Sequence, residues 1–206
     1  QNDGTFTIHV SVEKREGNWL PMEQDTGLLF VRQTFLDREG EVPAQLAIER
    51  VGGDQKPGPP SPRSVDEGLM SASNLVAGAS FLFSKWTGDF KKHTNRLPLF
   101  DPDKSTKAGG DPKIAYYHSF WKLEEGEALV IDSIVPDCEH WNFQLNNYWM
   151  ESLDYRYFRI HINKHTATYN ADGSVTVVVA HRDPGMPNWL DTTGHTEGTI
   201  DRKSVV

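Results

Sequence analysis

The alternation of apolar and polar residues gives the first outline of the chain. Phe6, Ile8, Val10 and Val12 face one way and Thr7, His9 and Ser11 the other. That pattern predicts a half-buried strand, entered from a turn at Asp3-Gly4. Asn18-Trp19-Leu20-Pro21 and Thr26-Gly27 follow, and then Leu28 to Phe35, a second predicted strand, which carries Arg32. Gln45 to Val51 alternates weakly and predicts a third strand. The stretch 52–62 is a Gly/Pro-rich loop with no core-forming residues. Beyond it, Ser64-Val-Asp-Glu67 reads as a capping box. Apolar residues at Leu69, Ala72, Leu75, Val76, Ala79, Leu82, Phe83 and Trp86 then keep offsets of three and four, which predicts an amphipathic helix to about Lys92. Gly68, Gly78 and Gly88 weaken it and point to a break or to very close packing.

The second half is mainly strand-like. Residues 95–113, with Pro98, Pro102, Gly109, Gly110 and Pro112, read as an irregular lid or surface crossing. Ile114 to Trp121 and Ala128 to Val135 read as strands. Between 137 and 157, Trp141, Phe143, Tyr148, Trp149, Tyr155 and Tyr157 are interleaved with Asn142, Gln144, Asn146, Asn147 and Glu151. Phe158 to Asn163 alternates again. Val175 to Ala180 is apolar and β-branched almost throughout, which predicts a strand buried on both faces. Asp183-Pro184-Gly185 and Pro187 then stiffen a loop that presents Asn188, Trp189 and Asp191. The strands cluster before and after the helix instead of alternating with it. The expected fold is therefore mainly β: one antiparallel sandwich of jelly-roll type over residues 1–200, with a helical insertion at about 64–92.

One pattern occurs twice. Asp3-Gly4, a strand, Asn18-Trp19-Leu20 and Thr26-Gly27 are echoed by Asp172-Gly173, a strand, Asn188-Trp189-Leu190 and Thr193-Gly194. The same supersecondary unit is expected at both ends of the chain, with chance agreement of common turn residues as the alternative.

Composition narrows the function classes. A chain of 206 residues with 37 % hydrophobic and 24 % charged residues is one ordinary globular domain. A net charge of −8 argues against a nucleic-acid partner, which needs a basic surface. No apolar run is long enough for a membrane span. A single cysteine, Cys138, excludes an internal disulfide framework and a cysteine-built zinc site, and fits a reducing compartment such as the cytoplasm. The chain begins without Met inside a strand-like segment, so it is expected to be a fragment. Its upstream part would carry a targeting signal or a partner domain.

Chemistry concentrates in a few places. His181, Asp183, Asp191 and His195 are the candidate catalytic residues. His181 and Asp183 stand two apart at a strand end and could share a face. No known metal spacing is present, so no metal is assigned and the cofactor is unknown. The competing reading makes Asp183 and Asp191 turn caps and His195 a polar loop residue. For ligand binding the candidates are Asn188, Trp189, Trp141, Asn142 and Arg32. Aromatic faces beside amides suit sugars and other small polar ligands, and a strand arginine can hold a carboxylate or phosphate. The alternatives are tryptophans that plug the core and an arginine paired with an acid. Two functions remain. The first is a non-catalytic ligand-binding or interaction module acting with an upstream partner domain. The second is a hydrolase or carbohydrate-active domain with a His/Asp site.

Asp183 through Thr199, with Tyr116 to Trp121, Glu127 to Leu129, Tyr148 to Tyr155 and Asn163, resembles the bacterial domain of unknown function 1214 family. The resemblance implies a jelly-roll β-sandwich, often behind an N-terminal partner domain. It brings no established reaction, cofactor or catalytic residue. It ends at Asp201, where the family would continue into a strand with an Arg-Trp or similar aromatic pair. Here the chain reads Asp-Arg-Lys-Ser-Val-Val206. Those six codons can be written as a commonly used sequencing adapter (GATCGGAAGAGCGTCGTG), so 201–206 are expected to be a non-native tail. Resequencing the source gene across codon 201 should replace these six residues with a different continuation, whereas a genuine stop codon after Val206 would overturn the expectation.

Overall fold

The computed structural model describes residues 4–52 and 58–205. Asp3 of the predicted entry turn, residues 53–57 of the Gly/Pro-rich loop and Val206 lie outside them. The chain divides into two units, Gln1–Thr34 and Phe35–Val206.

In the first unit, β1 (His9–Ser11) pairs in parallel with β2 (Trp19–Pro21). The His9 N–H donates to the Asn18 carbonyl at 2.8 Å, and the Trp19 indole N–H donates to the Ser11 carbonyl at 3.2 Å. The predicted strand 6–12 is thus reduced to three residues. The predicted strand carrying Arg32 does not form, and Leu28, Leu29, Phe30 and Val31 are exposed. In the second unit Gln45 to Val51 also forms no strand. Alternation shows only what a segment would bury if a neighbour were present. Among the described residues neither segment forms a strand.

The second unit begins with α1 (Pro62–Phe90), one turn earlier than the capping-box reading placed it. Ser61 is the N-cap, its hydroxyl accepting from the Ser64 N–H at 3.1 Å, and Pro62 follows. Proline fixes φ and has no N–H to satisfy, which favours the first helical position. Ser64 instead donates to the Ser61 carbonyl, and Glu67 pairs with Arg63 across the surface. The helix runs unbroken through its three glycines, and a Cβ added at any of them would meet open space. Only its last turn is anchored. Thr87 and Phe90 are buried, and the Thr87 hydroxyl donates to the Tyr148 carbonyl at 2.7 Å. A 3-10 turn, Lys91–His93, follows. Inside the stretch expected to be irregular sits a short helix, α2 (Pro102–Lys107), capped by Asp101. Asp101-Pro102 repeats the cap-then-proline signature of α1.

Two sheets complete the unit. β3 (Ile114–Lys122), β5 (His140–Asn146), β6 (His161–Asn163) and β9 (Glu197–Val205) form one, in the order β3-β9-β5-β6 with every pairing antiparallel. β4 (Ala128–Ser133), β7 (Val175–Ala180) and β8 (Trp189–Asp191) form the other, with β4 antiparallel and β8 parallel to β7. The expectation of a wholly antiparallel fold is corrected at β1–β2 and β7–β8. Residues 201–205, expected to be an appended tail, run as the second half of β9.

One core takes side chains from both sheets. Trp121, Trp141, Phe143, Leu145, Ile162 and Ile200 come from the first, and Val175, Val177, Val179 and Leu190 from the second. Each is essentially inaccessible to solvent. Side chains of this size contribute about 1.5–3 kcal/mol each on burial. Two glycine variants test this description. Gly88→Ala, facing open space on α1, should stabilise the protein by about 0.5–1 kcal/mol in denaturant unfolding. Gly198→Ala, whose Cβ would fall on the Asn146 carbonyl and within 2.9 Å of the Trp121 indole nitrogen, should destabilise it by roughly 1–3 kcal/mol.

Candidate functional site

The sequence of β5, His-Trp-Asn-Phe-Gln-Leu-Asn, sorts itself by strand geometry. Successive side chains point to opposite faces. Trp141, Phe143 and Leu145 enter the core, so His140, Asn142, Gln144 and Asn146 project from the other face of the sheet. Ile162 of β6 enters the core in the same way, and His161 and Asn163 turn outward.

Register joins these residues into rows across the sheet. Asn163, Asn142, Lys203 and Tyr116 form one row, and His161, Gln144, Asp201 and His118 the next. The result is a sheet face carrying side-chain amides, imidazoles and a phenol. Several of its members bond one another or the adjoining chain. Gln144 Nε2 donates to Asn146 Oδ1 at 2.7 Å, and Asn163 Nδ2 donates to the Leu36 carbonyl at 3.0 Å. Asn142 Oδ1 and His140 Nδ1 are buried atoms with no hydrogen-bond partner among the described residues. A buried polar atom without a partner costs about 1–3 kcal/mol, so such atoms call for an explanation.

Charge is sparse on this face. Burial pushes the His140 imidazole below its ordinary pKa, and Lys164 pushes it the same way. His161 is lowered by burial and by Arg38 and Arg159. Both rings are thus biased toward the neutral form, which can donate at one nitrogen and accept at the other. His118 Nδ1 lies 2.5 Å from Asp201 Oδ1. Burial pushes the Asp201 carboxyl up, but the hydrogen bond and charge of His118, helped by Lys203 and Asn146, hold it below its usual value.

At His118 the face meets a cleft of about 600 Å³ between the end of α1 and the segment around α2. Its floor is aromatic. Phe90 stacks on His118 at 5.2 Å between ring centroids, Phe100 meets His118 edge-on at 5.2 Å, and Trp86 meets Phe100 edge-on at 6.5 Å. Lys104 and Lys107 stand on the rim.

The four candidate catalytic residues lie elsewhere, beside β7 and β8. His181 Nδ1 is 2.8 Å from the Thr192 hydroxyl, and its Nε2 is 3.3 Å from the Leu123 carbonyl. Asp183 accepts from the Gly185 N–H at 2.8 Å, and Asp191 from the Thr193 N–H at 2.7 Å. The His195 N–H closes a turn on the Thr192 carbonyl at 2.9 Å. Among the described residues, no three His, Cys, Asp or Glu side chains are placed to hold one metal ion.

The ligand-binding candidates divide. Asn188 is buried and fully used, accepting from the Thr168 N–H and donating to the Thr168 and Thr176 carbonyls. Trp189 donates to the Ala180 carbonyl at 3.0 Å, and Trp141 is core. Arg32 lies in an exposed segment of the first unit. Only Asn142 stands on the polar face. His140 and His118 were not anticipated there, and His161 and Asn163 were read only as the polar side of the strand 158–163. The signal for the first was available, since the period-2 reading of β5 places His140 with Asn142, Gln144 and Asn146.

The lowered imidazoles set a pH dependence. The folded state disfavours protonating His140 and His161, so their contribution to stability is complete above the ordinary imidazole value of about 6.5 and is lost as pH falls below it. Melting temperature should therefore fall between about pH 7 and pH 5. A His140→Gln, His161→Gln double variant should show a flatter profile over that window in thermal unfolding.

Residues 128–200 match the model of the family described as "Protein of unknown function (DUF1214)". A crystal structure of an uncharacterised protein from Burkholderia cenocepacia matches with 54 % identity and a TM-score of 0.91, over 95 % of this chain and 55 % of that one. The chain thus spans about half the length of that protein. A protein from Vibrio parahaemolyticus matches at 17 % identity and a TM-score of 0.37, over 50 % of this chain and 29 % of that one. No curated protein matches. Among the described residues no helix is long and apolar enough to cross a membrane. The likeness to the DUF1214 family thus spans residues 128–200, which hold β4 to β8 and the opening of β9.

Proposed function

We propose that the chain is a β-sandwich module of jelly-roll type that binds a small, uncharged, hydroxyl-bearing ligand on its amide face, beside an upstream domain, and catalyses nothing itself. The observation that carries this reading is the buried, unpartnered pair of atoms Asn142 Oδ1 and His140 Nδ1 on a face rich in amides and imidazoles. Hydroxyl groups donate and accept, and so does each neighbour on this face. The aromatic floor of the adjoining cleft suits the apolar face of a sugar ring. The local bonds of His181, Asp183 and Asp191 support the non-catalytic half of the reading, because those groups already serve turns and a strand end.

The test is saturation-transfer NMR with glucose, galactose and cellobiose. At least one should bind with a Kd in the range of about 0.1–10 mM. An Asn142→Ala, Gln144→Ala variant should weaken it by about tenfold or more, the equivalent of about 1.4 kcal/mol, with an unchanged melting temperature. Binding that ignores this variant would overturn the site. Hydrolysis of nitrophenyl glycosides that is lost in Asp191→Asn would establish the hydrolase reading in its place.

A further inference from the structure

The two ends of the chain share a strand pairing and two hydrogen bonds. In the first, the His9 N–H donates to the Asn18 carbonyl and the Trp19 indole to the Ser11 carbonyl. In the second, the Val178 N–H donates to the Asn188 carbonyl and the Trp189 indole to the Ala180 carbonyl. Both strand pairs are parallel, with His9 opposite Trp19 and Val178 opposite Trp189. Gly4, five residues before β1, and Gly173, two residues before β7, have φ of 79° and 82°. Aligned on these bonds, Phe6, Ile8 and Val10 correspond to Val175, Val177 and Val179, and Leu20 corresponds to Leu190.

Their burial is opposite. Val175, Val177, Val179 and Leu190 are 0 % exposed, whereas Phe6, Ile8, Val10 and Leu20 are 54 %, 51 %, 38 % and 44 % exposed. The second is followed after Thr193-Gly194 by β9, a strand of the facing sheet that shares its core. The first is followed after Thr26-Gly27 by Leu28 to Phe35, strand-like in sequence but not a strand here. The same small structure is thus a finished part of a core in one place and a bare apolar surface in the other.

We infer that residues 4–34 are the closing strands of a further β-domain, built on the plan of residues 114–205. The rest of that domain lies in the part of the longer polypeptide that this chain does not span. The protein from Burkholderia cenocepacia has the length to supply it, since the match covers 55 % of that chain. Phe6, Ile8, Val10 and Leu20 would then be core residues of the first domain, as Val175, Val177, Val179 and Leu190 are of the second. Leu28 to Phe35 would be its last-joined strand, in the position that β9 holds. The inference rests on the part of the preceding proposal that gives this module an upstream partner, and not on ligand binding by the amide face.

Hydrogen–deuterium exchange compares this chain with the full-length Burkholderia cenocepacia protein. Peptides aligned with 6–12 and 28–34 should exchange almost freely in this chain and be protected by about a thousandfold or more in the longer protein. Peptides from β7 and β8 should be protected in both. In the longer protein, substitution of the residue aligned with Val10 by Asp should abolish protection at 6–12 and 28–34 and leave β7 protected. Equal, free exchange of 28–34 in both proteins would overturn the inference, as would loss of β7 protection in the variant. Sugar binding is not measured in this experiment, so failure of the amide-face proposal leaves its outcome readable.

Discussion

A β-strand has two faces, and β5 commits them to opposite environments. Trp141, Phe143 and Leu145 need a second sheet to cover them, and Val175, Val177 and Val179 of β7 provide it. Once that face is fixed in the core, a one-residue slip would bury His140, Asn142 and Gln144 in its place. The core therefore sets the register, and the register brings together the outward rows of amides and imidazoles. The polar face is a by-product of apolar packing in its position, though not in its composition.

Composition is where function enters. A sheet face turned from the core could carry lysines and glutamates, as ordinary solvated faces do. This one carries asparagine, glutamine and histidine, half-buried, with imidazoles biased toward neutrality. Groups of that kind exchange hydrogen bonds without adding net charge, and partial burial strengthens each bond they make. The sites flagged by their residue types, His181, Asp183 and Asp191, proved to be committed to backbone and hydroxyl partners.

The sequence disclosed elements best where each segment's partner lies within the chain. Val175 to Ala180 is dense with β-branched residues and is buried as that density suggests. The strands from Ile114 and Ala128 were legible too, whereas the one at His140–Asn146 was read only as a band of aromatic and amide residues. Leu28 to Phe35 is strand-like in composition and Gln45 to Val51 alternates weakly, yet neither forms a strand among the described residues. The helix was evident from its spacing, but its start was misplaced because Ser61-Pro62 and Ser64 offer competing caps three residues apart. Of the site, Asn142 was legible because it stands among aromatic residues. His161 and His118 were not, because only cross-strand register, set by residues tens of positions away, brings them onto one face.

The position of β9 has a consequence for how the chain acquires its shape. It is the last strand in order and lies between β3 and β5. The pairs β4–β7 and β7–β8 can form from chain that precedes it, and closing the short loop between β7 and β8 costs little entropy. β3, by contrast, must wait for a strand that begins 83 residues after its own first residue, at Glu197. During synthesis its aromatic side chains stand uncovered until β9 has left the ribosome. A nascent chain stopped at Gly194 would hold one finished sheet and one open edge, the form most prone to pair with a neighbour.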